Sequence, residues 1–387
     1  MCRRRASKDL MTQENFKIGF VRRGFSPSGG AEIYLRRLAH GVLAAGHEVI
    51  LFTTAAWPET EWPGKINRVA ATGPVEFADE LERVNPRNYC HLLISLERVW
   101  HCDFFRAGDG VHRAWLERRA RFDAPLRKFA RAFSRKHEEI LRLEKALLGN
   151  GGAGRIIANS AMVRDEIVNY YGFPGEAIDL IRNGIRVSEF GPAPLKRAAA
   201  RSQLHLAETD IAVLFLGSGW ERKGLRFAIA TVESLRDDRL RLLVAGRGNQ
   251  GRFRSRKVHF FGEVGDVRPL LSAADIFLLP TLYDPFSNAS LEAMAAGLPV
   301  VTTRANGCSE IIEEKIHGSI VDRADNIVAL AAALRFWSDE SRRKKAQLIL
   351  LEHATQFDLS RHIAQTLEMV LSYPAAVAST SGKMRKT

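Results

Sequence analysis

Two carboxylates lie eight positions apart in YDPFSNASLEAMAAGLPVV, the stretch from residue 283 to residue 301. Asp284 is in a loop after a predicted strand, and Glu292 is in the first turns of a helix otherwise made of Leu, Ala and Met. Burying a charge on so apolar a helix costs several kcal/mol unless the charge is paired or hydrogen-bonded. A carboxylate accepts two hydrogen bonds side by side, which suits the adjacent hydroxyls of a ribose. We therefore expect Glu292 to meet a polar ligand, and the alternative is a buried ion pair with an arginine.

A glycine turn with two cations follows another predicted strand, in GSGWERKG at residues 217–224. The glycines let the backbone approach a ligand, the following helix offers free amide donors, and Arg222 and Lys223 add positive charge. This combination favours a diphosphate site, and a solvated basic turn is the alternative. A second turn, SGG at residues 28–30, ends the first predicted strand and would face the same cleft. A tight turn alone would also explain it, because the G-x-G-x-x-G spacing of dinucleotide sites is absent.

The elements that position these turns are apolar strands alternating with helices, a pattern typical of parallel sheets covered on both faces. We predict helices at 33–45, 225–235 and 289–296, and a long basic helical stretch over 111–148. Two such α/β domains in tandem place a cleft between the carboxyl ends of their strands, where ligands bind. The strands are predicted at residues 16–22, 48–53, 91–95, 155–158, 211–216, 240–245, 258–261, 276–279 and 299–302.

The chain of 387 residues is long enough for two domains. The stiff breaker GPAP at 191–194 is the predicted linker between a first domain, 16–190, and a second, 191–373. We expect the last helix of the second domain to cross back to the first. The predicted tails are residues 1–15 and the disordered residues 374–387.

Composition restricts the compartment and the partners. The net charge of +13 and the pI of about 9.8 favour an anionic partner. No apolar run reaches the roughly 20 residues that cross a bilayer, and no secretory apolar region follows the basic start, so we expect a cytoplasmic protein. Four cysteines are too few for a disulfide framework. Zinc binding at Cys90-His91 or His101-Cys102 is disfavoured because neighbours on a strand point to opposite faces.

The acidic pair also carries a family resemblance. Asp284-x7-Glu292, followed by AMAAGLPVV, resembles the E-x7-E motif of the retaining glycosyltransferases of family 4, which have the GT-B fold. The resemblance implies two Rossmann-like domains facing a central cleft, the first for the acceptor and the second for a nucleotide sugar. Further stretches match the family over most of the chain: SPSGGAE, ANS at 158–160, the NG turn at 181–184, GSGWERKG, VHFFGEV and AADIFLLPTLYDPFSNASLEA.

The resemblance assigns roles to the donor side of the cleft. The second acid of the motif holds the ribose and the first contacts hydroxyls of the donor sugar, which implies these roles for Glu292 and Asp284. Asp284 is one methylene shorter than the usual Glu, so the donor sugar stays open. Arg222 and Lys223 match the pair that neutralises the leaving diphosphate. Together with Asp284 they are the expected catalytic residues on the donor side. The rest of the implied donor site consists of Gly29, Gly30, Ser287, Asn288 and Ala289.

The resemblance also implies the type of reaction. The family's chemistry retains the anomeric configuration, and its members generally need no metal ion. This chain has no D-x-D between plausible strands to hold one. We therefore expect no cofactor and no metal, with a nucleotide diphosphate sugar, UDP-glucose, as co-substrate. A nucleotide-sugar epimerase of the same architecture is the alternative enzyme.

The acceptor is suggested by a second, shorter match. The FRAGD segment at 105–109 resembles the F-A-A-D segment of lipopolysaccharide-core glucosyltransferases acting on inner-core heptose, and a long basic stretch follows in both. This implies a lipopolysaccharide-core or related glycolipid acceptor, with Asp109 beside it as a catalytic residue and His112 assisting. For each of these two residues an ordinary polar loop residue is the alternative. A different surface polysaccharide is the alternative product.

The positive charge is concentrated in the long helical stretch, between aromatic and leucine residues. Such a basic amphipathic segment suits the anionic inner surface of a membrane, whereas a solvated helical face is the alternative. We expect a protein peripheral on the inner face of the cytoplasmic membrane, contacting it through Arg127, Lys128, Arg131 and Arg135. Nucleic acid is a disfavoured partner because no nucleic-acid-binding motif accompanies the charge. The oligomeric state stays open.

Overall fold

The computed structural model describes residues 15–26, 30–123, 134–191, 194–253 and 255–384. The chain forms two sheets in which every strand pairing is parallel. The first sheet contains β1 (Lys17–Val21), β2 (Glu48–Thr53), β3 (Lys65–Arg68), β4 (Leu92–Ser95), β5 (Cys102–Arg106), β6 (Ala153–Ala158) and β7 (Ile178–Leu180). Its order is β3-β2-β1-β4-β5-β6-β7.

The second sheet belongs to the carboxyl-terminal half. It contains β8 (Ile211–Leu216), β9 (Leu240–Ala245), β10 (Val258–Gly262), β11 (Ile276–Leu279), β12 (Val300–Thr303) and β13 (Gly318–Val321). Its order is β10-β9-β8-β11-β12-β13. The predicted fold class, two Rossmann-like parallel-sheet domains, is confirmed.

Helices cover both sheets, as parallel strands require. The first domain contains α1 (Gly30–Ala44), α2 (Pro74–Val84), α3 (His112–Ala120), α4 (Arg135–Gly149) and α5 (Ala161–Tyr171). The helices after the linker are α6 (Pro194–Gln203), α7 (Trp220–Lys223), α8 (Leu225–Ser234), α9 (Arg268–Ala273), α10 (Asn288–Ala295), α11 (Ile327–Trp337), α12 (Glu340–Ala354) and α13 (Leu359–Met384).

All nine predicted strands are present, and the sequence missed four, β3, β5, β7 and β13. The apolar pattern of each strand explains the difference, because the missed strands KINR, CDFFR, IDL and GSIV lack a continuous apolar run. The central strands β8 and β11 are buried along their whole length and read as continuous apolar runs. Three of the missed strands, β3, β7 and β13, are short and lie at sheet edges. The fourth, β5, is central but contains Asp103, whose carboxylate accepts a hydrogen bond from the Leu93 amide at 2.7 Å.

The last helix, α13, packs against the first domain. Its residue Val370 is buried in one core cluster with Ile18 and Phe20 of β1. A Cβ at Gly41 of α1 would lie only 2.5 Å from Ile363, so the absence of a side chain lets the two helices approach closely. This helix continues to Met384, across residues 374–384 for which a disordered tail was predicted.

The long basic stretch is divided rather than continuous. α3 ends at Ala120 and α4 begins at Arg135, while residues 124–133 lie outside the described part of the chain. The middle of the predicted linker, residues 192–193, is also outside it. Among the described residues, no helix is both long and apolar enough to cross a membrane.

Candidate functional site

Lys223 and Asp284 meet where the neighbouring strands β8 and β11 end. Lys223 is the last residue of α7, the short helix that follows the glycine turn after β8. Its ammonium group forms an ion pair with the Asp284 carboxylate, and the two side chains are only 13% and 6% exposed. The sequence predicts that both residues belong to one site, and the structure brings them into direct contact.

The glycine turn is tied to the loop after β11 by its backbone as well. The carbonyl oxygen of Arg222 accepts hydrogen bonds from the Thr281 hydroxyl at 2.9 Å and from the Leu282 amide at 2.8 Å. At Gly224, φ is +78° and a Cβ would lie 1.9 Å from the Pro280 carbonyl oxygen, so this position requires glycine. The Arg222 guanidinium makes no hydrogen bond or ion pair to any residue that the structure describes. It remains available to an anionic ligand.

Glu292 lies on α10 and has no direct partner among the described residues. Burial raises the pKa of its carboxyl to about 7, although the positive charges of Arg37 and Lys223 act to lower it. Among the residues that the structure describes, Glu292 therefore does not form the ion pair with an arginine that the sequence left as an alternative. A partly buried acid that feels the charge of two cations is placed to accept hydrogen bonds from a polar ligand.

Arg37 is a site residue that the sequence did not indicate. It lies on α1 in the first domain, yet its charge acts on Glu292 of the second, and burial is the main cause that lowers its pKa. Arg37 is two turns after Gly30, where α1 begins directly behind the first glycine turn. Its position seven residues after Gly30 is the one feature of the sequence that could have indicated a role in the site. That position becomes informative only when the two domains are assembled.

The amino-terminal end of α10 offers amide donors. The Ser287 side chain caps the helix by accepting a hydrogen bond from the Ser290 amide at 3.2 Å. The Ser287 amide itself donates a hydrogen bond to Asn306 Oδ1 at 3.2 Å, so this amide is not free to bind a phosphate. The amides of Asn288 and Ala289 are in the first turn, where no intrahelical acceptor exists. Together with the helix dipole they favour an anion there.

The first domain meets this helix end across the cleft. Asn183 donates a hydrogen bond to Asn288 Oδ1 at 2.7 Å and accepts one from Arg106 at 2.7 Å. A Cβ at Gly30 would lie 3.7 Å from the Asn288 side chain, so the first glycine turn ends beside α10. Ser28 and Gly29 lie outside the described residues, and their predicted role is not located.

On the acceptor side, Asp109 is exposed in the loop after β5. Burial acts to lower the pKa of Arg98, but the charges of Glu144 and Asp109 raise it. The charge of Asp109 also contributes to the raised pKa of Arg22. The Asp109 carboxylate thus faces two guanidinium groups. Arg98 also donates a hydrogen bond to the Gly110 carbonyl oxygen at 2.6 Å, which holds the loop.

His112 lies close to Asp109 in sequence, but its imidazole points elsewhere. His112 Nε2 is 3.0 Å from His137 Nδ1 on α4. Burial, and then the charge of Arg98, lower the pKa of His112 to about 4, so the ring is neutral at pH 7. This arrangement matches the alternative that the sequence left open for His112, a polar residue that holds local structure.

The basic residues predicted to face a membrane are mostly outside the described part of the chain, namely Arg127, Lys128 and Arg131. Arg135 is described, and its exposed side chain pairs with Glu139 at 3.0 Å. Nearby, Arg118 pairs with Glu166 at 2.5 Å, so part of the local positive charge is neutralised within the domain. Among the described residues, no group of three or more His, Cys, Asp or Glu is placed to hold a metal ion.

Comparison with known families covers both halves of the chain. Residues 210–339 match a family model described as "Glycosyl transferases group 1", and residues 28–189 match one described as "Glycosyltransferase Family 4". The chain is a glycosyltransferase of the GT-B type. Both predicted domains therefore belong to this architecture, and the acidic pair lies within the group 1 domain.

Relatives of known name match the chain over nearly its whole length. The D-inositol 3-phosphate glycosyltransferase of Paenarthrobacter aurescens is 27% identical over 92% of this chain and 95% of its own. Among solved structures, WaaG, "a glycosyltransferase involved in lipopolysaccharide biosynthesis", has a TM-score of 0.77 and 20% identity, covering 91% of this chain and 99% of that one. Anabaena Alr3699/HepE "in complex with UDP and glucose" has a TM-score of 0.71 and 18% identity, covering 92% and 100%. At these identities the two structures support the fold.

Proposed function

We propose that this protein is a retaining, metal-independent glycosyltransferase that moves glucose from UDP-glucose to a lipopolysaccharide-core or related glycolipid acceptor. The observation that carries the proposal is the Lys223–Asp284 ion pair near the partly buried Glu292, which has no direct partner among the described residues. One cation, one carboxylate for the sugar and one carboxylate for the ribose are then gathered where the neighbouring strands β8 and β11 end. No cofactor is needed in this scheme beyond the nucleotide sugar.

Each group has a distinct task in the proposed reaction. Glu292 accepts hydrogen bonds from the ribose hydroxyls. Asp284 accepts hydrogen bonds from hydroxyls of the donor sugar and also aligns Lys223. Lys223, Arg222 and the free amides of Asn288 and Ala289 stabilise the negative charge that develops on the departing diphosphate. Preorganised positive charge of this kind is usually the largest catalytic contribution when a concentrated anion leaves.

The acceptor hydroxyl would attack from the face that the diphosphate leaves, which retains the anomeric configuration. Asp109 lies at the carboxyl end of β5 in the first domain, opposite the donor side. The carboxylate is exposed there and can accept a hydrogen bond from an acceptor hydroxyl. The proposed lipopolysaccharide-core acceptor rests on the FRAGD segment at 105–109, and WaaG, which shares the fold, is described as involved in lipopolysaccharide biosynthesis.

A second acceptor class is favoured by the relatives that are named D-inositol 3-phosphate glycosyltransferase. Here the acceptor would be a small phosphorylated polyol bound on the acceptor side of the cleft. Both candidates share the donor site and differ only in what occupies the acceptor side.

Purified protein tests these alternatives directly. We expect UDP release from UDP-glucose to require heptosylated lipopolysaccharide core, with inositol 3-phosphate as the competing acceptor and GDP- and ADP-sugars as donor controls. Glu292→Ala should abolish turnover, whereas Glu340→Ala on the exposed surface of α12 should not. Near-normal turnover in Glu292→Ala would contradict the site assignment. Conversion of the sugar nucleotide without any acceptor would identify an epimerase instead.

A further inference from the structure

Tyr283, the residue before Asp284, is buried inside the other domain. It belongs to the loop after β11, but its side chain is 1% exposed and is grouped with the core cluster of the first domain. Trp115 of α3 stacks on its ring, with centroids 6.5 Å apart and planes at 23°. A single aromatic side chain of the donor domain is thus inserted into the acceptor domain.

Both hydrogen bonds of the Tyr283 hydroxyl go to the first domain. The hydroxyl donates to Glu166 Oε2 on α5 at 2.7 Å and accepts from the Val111 amide at 2.8 Å. Glu166 is itself held by an ion pair with Arg118. Removing the hydroxyl would leave a buried amide and a buried carboxylate without this partner, which is costly in a water-excluded site.

The cradle around the hydroxyl is shaped for it. At Gly110, φ is +71°, and a Cβ there would lie 2.2 Å from the Tyr283 hydroxyl oxygen. Glycine is therefore required both by the backbone conformation and by the approach of the tyrosine. Because Gly110 and Val111 directly follow Asp109, the contact reaches the loop that carries the acceptor-side carboxylate.

We propose that Tyr283 is a positioning residue: it locks the loop that carries Asp284 to the loop that carries Asp109, and so sets the spacing between donor and acceptor. This inference rests on the proposed function. We call Tyr283, Glu166 and Val111 the Tyr283 anchor. Tyr283 acts through its neighbours and does not touch the substrates, so its loss should affect the transfer step more than nucleotide binding.

The test compares Tyr283→Phe with Tyr171→Phe as a matched control. Tyr171 also donates a hydrogen bond to a buried glutamate, Glu144, at 2.7 Å, but this bond lies within one domain. We expect Tyr283→Phe to lower kcat by about 10-fold or more, because buried hydrogen bonds that hold the two loops are lost. A 10-fold loss corresponds to about 1.4 kcal/mol in the activation free energy. The Kd of UDP, which lacks the glucose that Asp284 would contact, should stay within about twofold, and Tyr171→Phe should keep its kcat.

Hydrogen exchange provides a readout that is independent of catalysis. We expect the Val111 amide to exchange at least about 10-fold faster in Tyr283→Phe than in the wild type, and to be unaffected in Tyr171→Phe. An unchanged Val111 exchange rate, an unchanged kcat, or an equal loss of kcat in Tyr171→Phe would overturn the inference. Failure of the wild type to bind UDP would count against the proposed function instead, and the exchange rates would still decide whether the anchor exists.

Discussion

Glu292→Gln should stabilise the ligand-free protein at high pH while it weakens donor binding. Glutamine has nearly the same shape as the protonated acid but cannot ionise. A pKa of about 7 in place of 4.5 means that the ionised carboxylate costs the folded protein about 3 kcal/mol, at about 1.4 kcal/mol per pH unit. The variant removes this cost.

The sign of the pH dependence follows from proton binding. Between pH 4.5 and 7 the folded protein keeps the Glu292 proton and the unfolded chain has lost it, so stability falls as the pH rises through this window. Above about pH 7 both states are ionised and the full cost is present. Glu292→Gln should therefore be more stable than the wild type by about 3 kcal/mol at pH 8 and nearly equal to it at pH 4.

Urea unfolding at the two pH values, followed by tryptophan fluorescence, measures this difference, and Glu340→Gln on the surface serves as the control. Calorimetry with UDP-glucose should show about 10- to 100-fold weaker binding, because hydrogen bonds from the ribose to a charged acceptor are lost. If Glu292→Gln is less stable than the wild type at pH 8, the raised pKa of Glu292 is wrong. If its affinity for UDP-glucose is unchanged, Glu292 does not hold the donor.

Three further predictions concern the cations and the acidic pair. Lys223→Ala should lower kcat by about 100- to 1,000-fold, because a preorganised charge at the leaving diphosphate is lost, whereas Lys344→Ala on exposed α12 should leave kcat unchanged. Asp284→Glu lengthens the sugar contact by one methylene, so competition between donor sugars should reveal a changed preference; an identical preference would place the sugar elsewhere. In vesicle flotation, binding to anionic lipid should fall strongly when four basic residues are neutralised together, namely Arg127, Lys128, Arg131 and Arg135. Undiminished binding would show that these residues do not hold the protein on the membrane.

Local sequence was sufficient for most of the fold because buried parallel strands are short, apolar and bounded by turns. This is why the central strands β8 and β11, and the turns after them, were placed correctly. It was not sufficient for the edge strands β3 and β7, which are held by pairing with a neighbour rather than by their own apolar pattern. The same limitation applies to β5, where the charged Asp103 has a partner that only the assembled sheet supplies.

The donor half of the candidate site is contained in two local segments, the glycine turn before Gly224 and the acidic loop and helix from Asp284 to Glu292. Their residue types and spacing were enough to predict a ligand-binding role. Tertiary structure alone decided which groups act on each other across the cleft. Asn183 bonds to Asn288 and Tyr283 bonds to Glu166, while Arg37 acts on Glu292 through its charge. These partners are more than a hundred residues apart in the chain. They meet because the carboxyl ends of two separate sheets face each other, and no local pattern encodes which side chains then lie opposite.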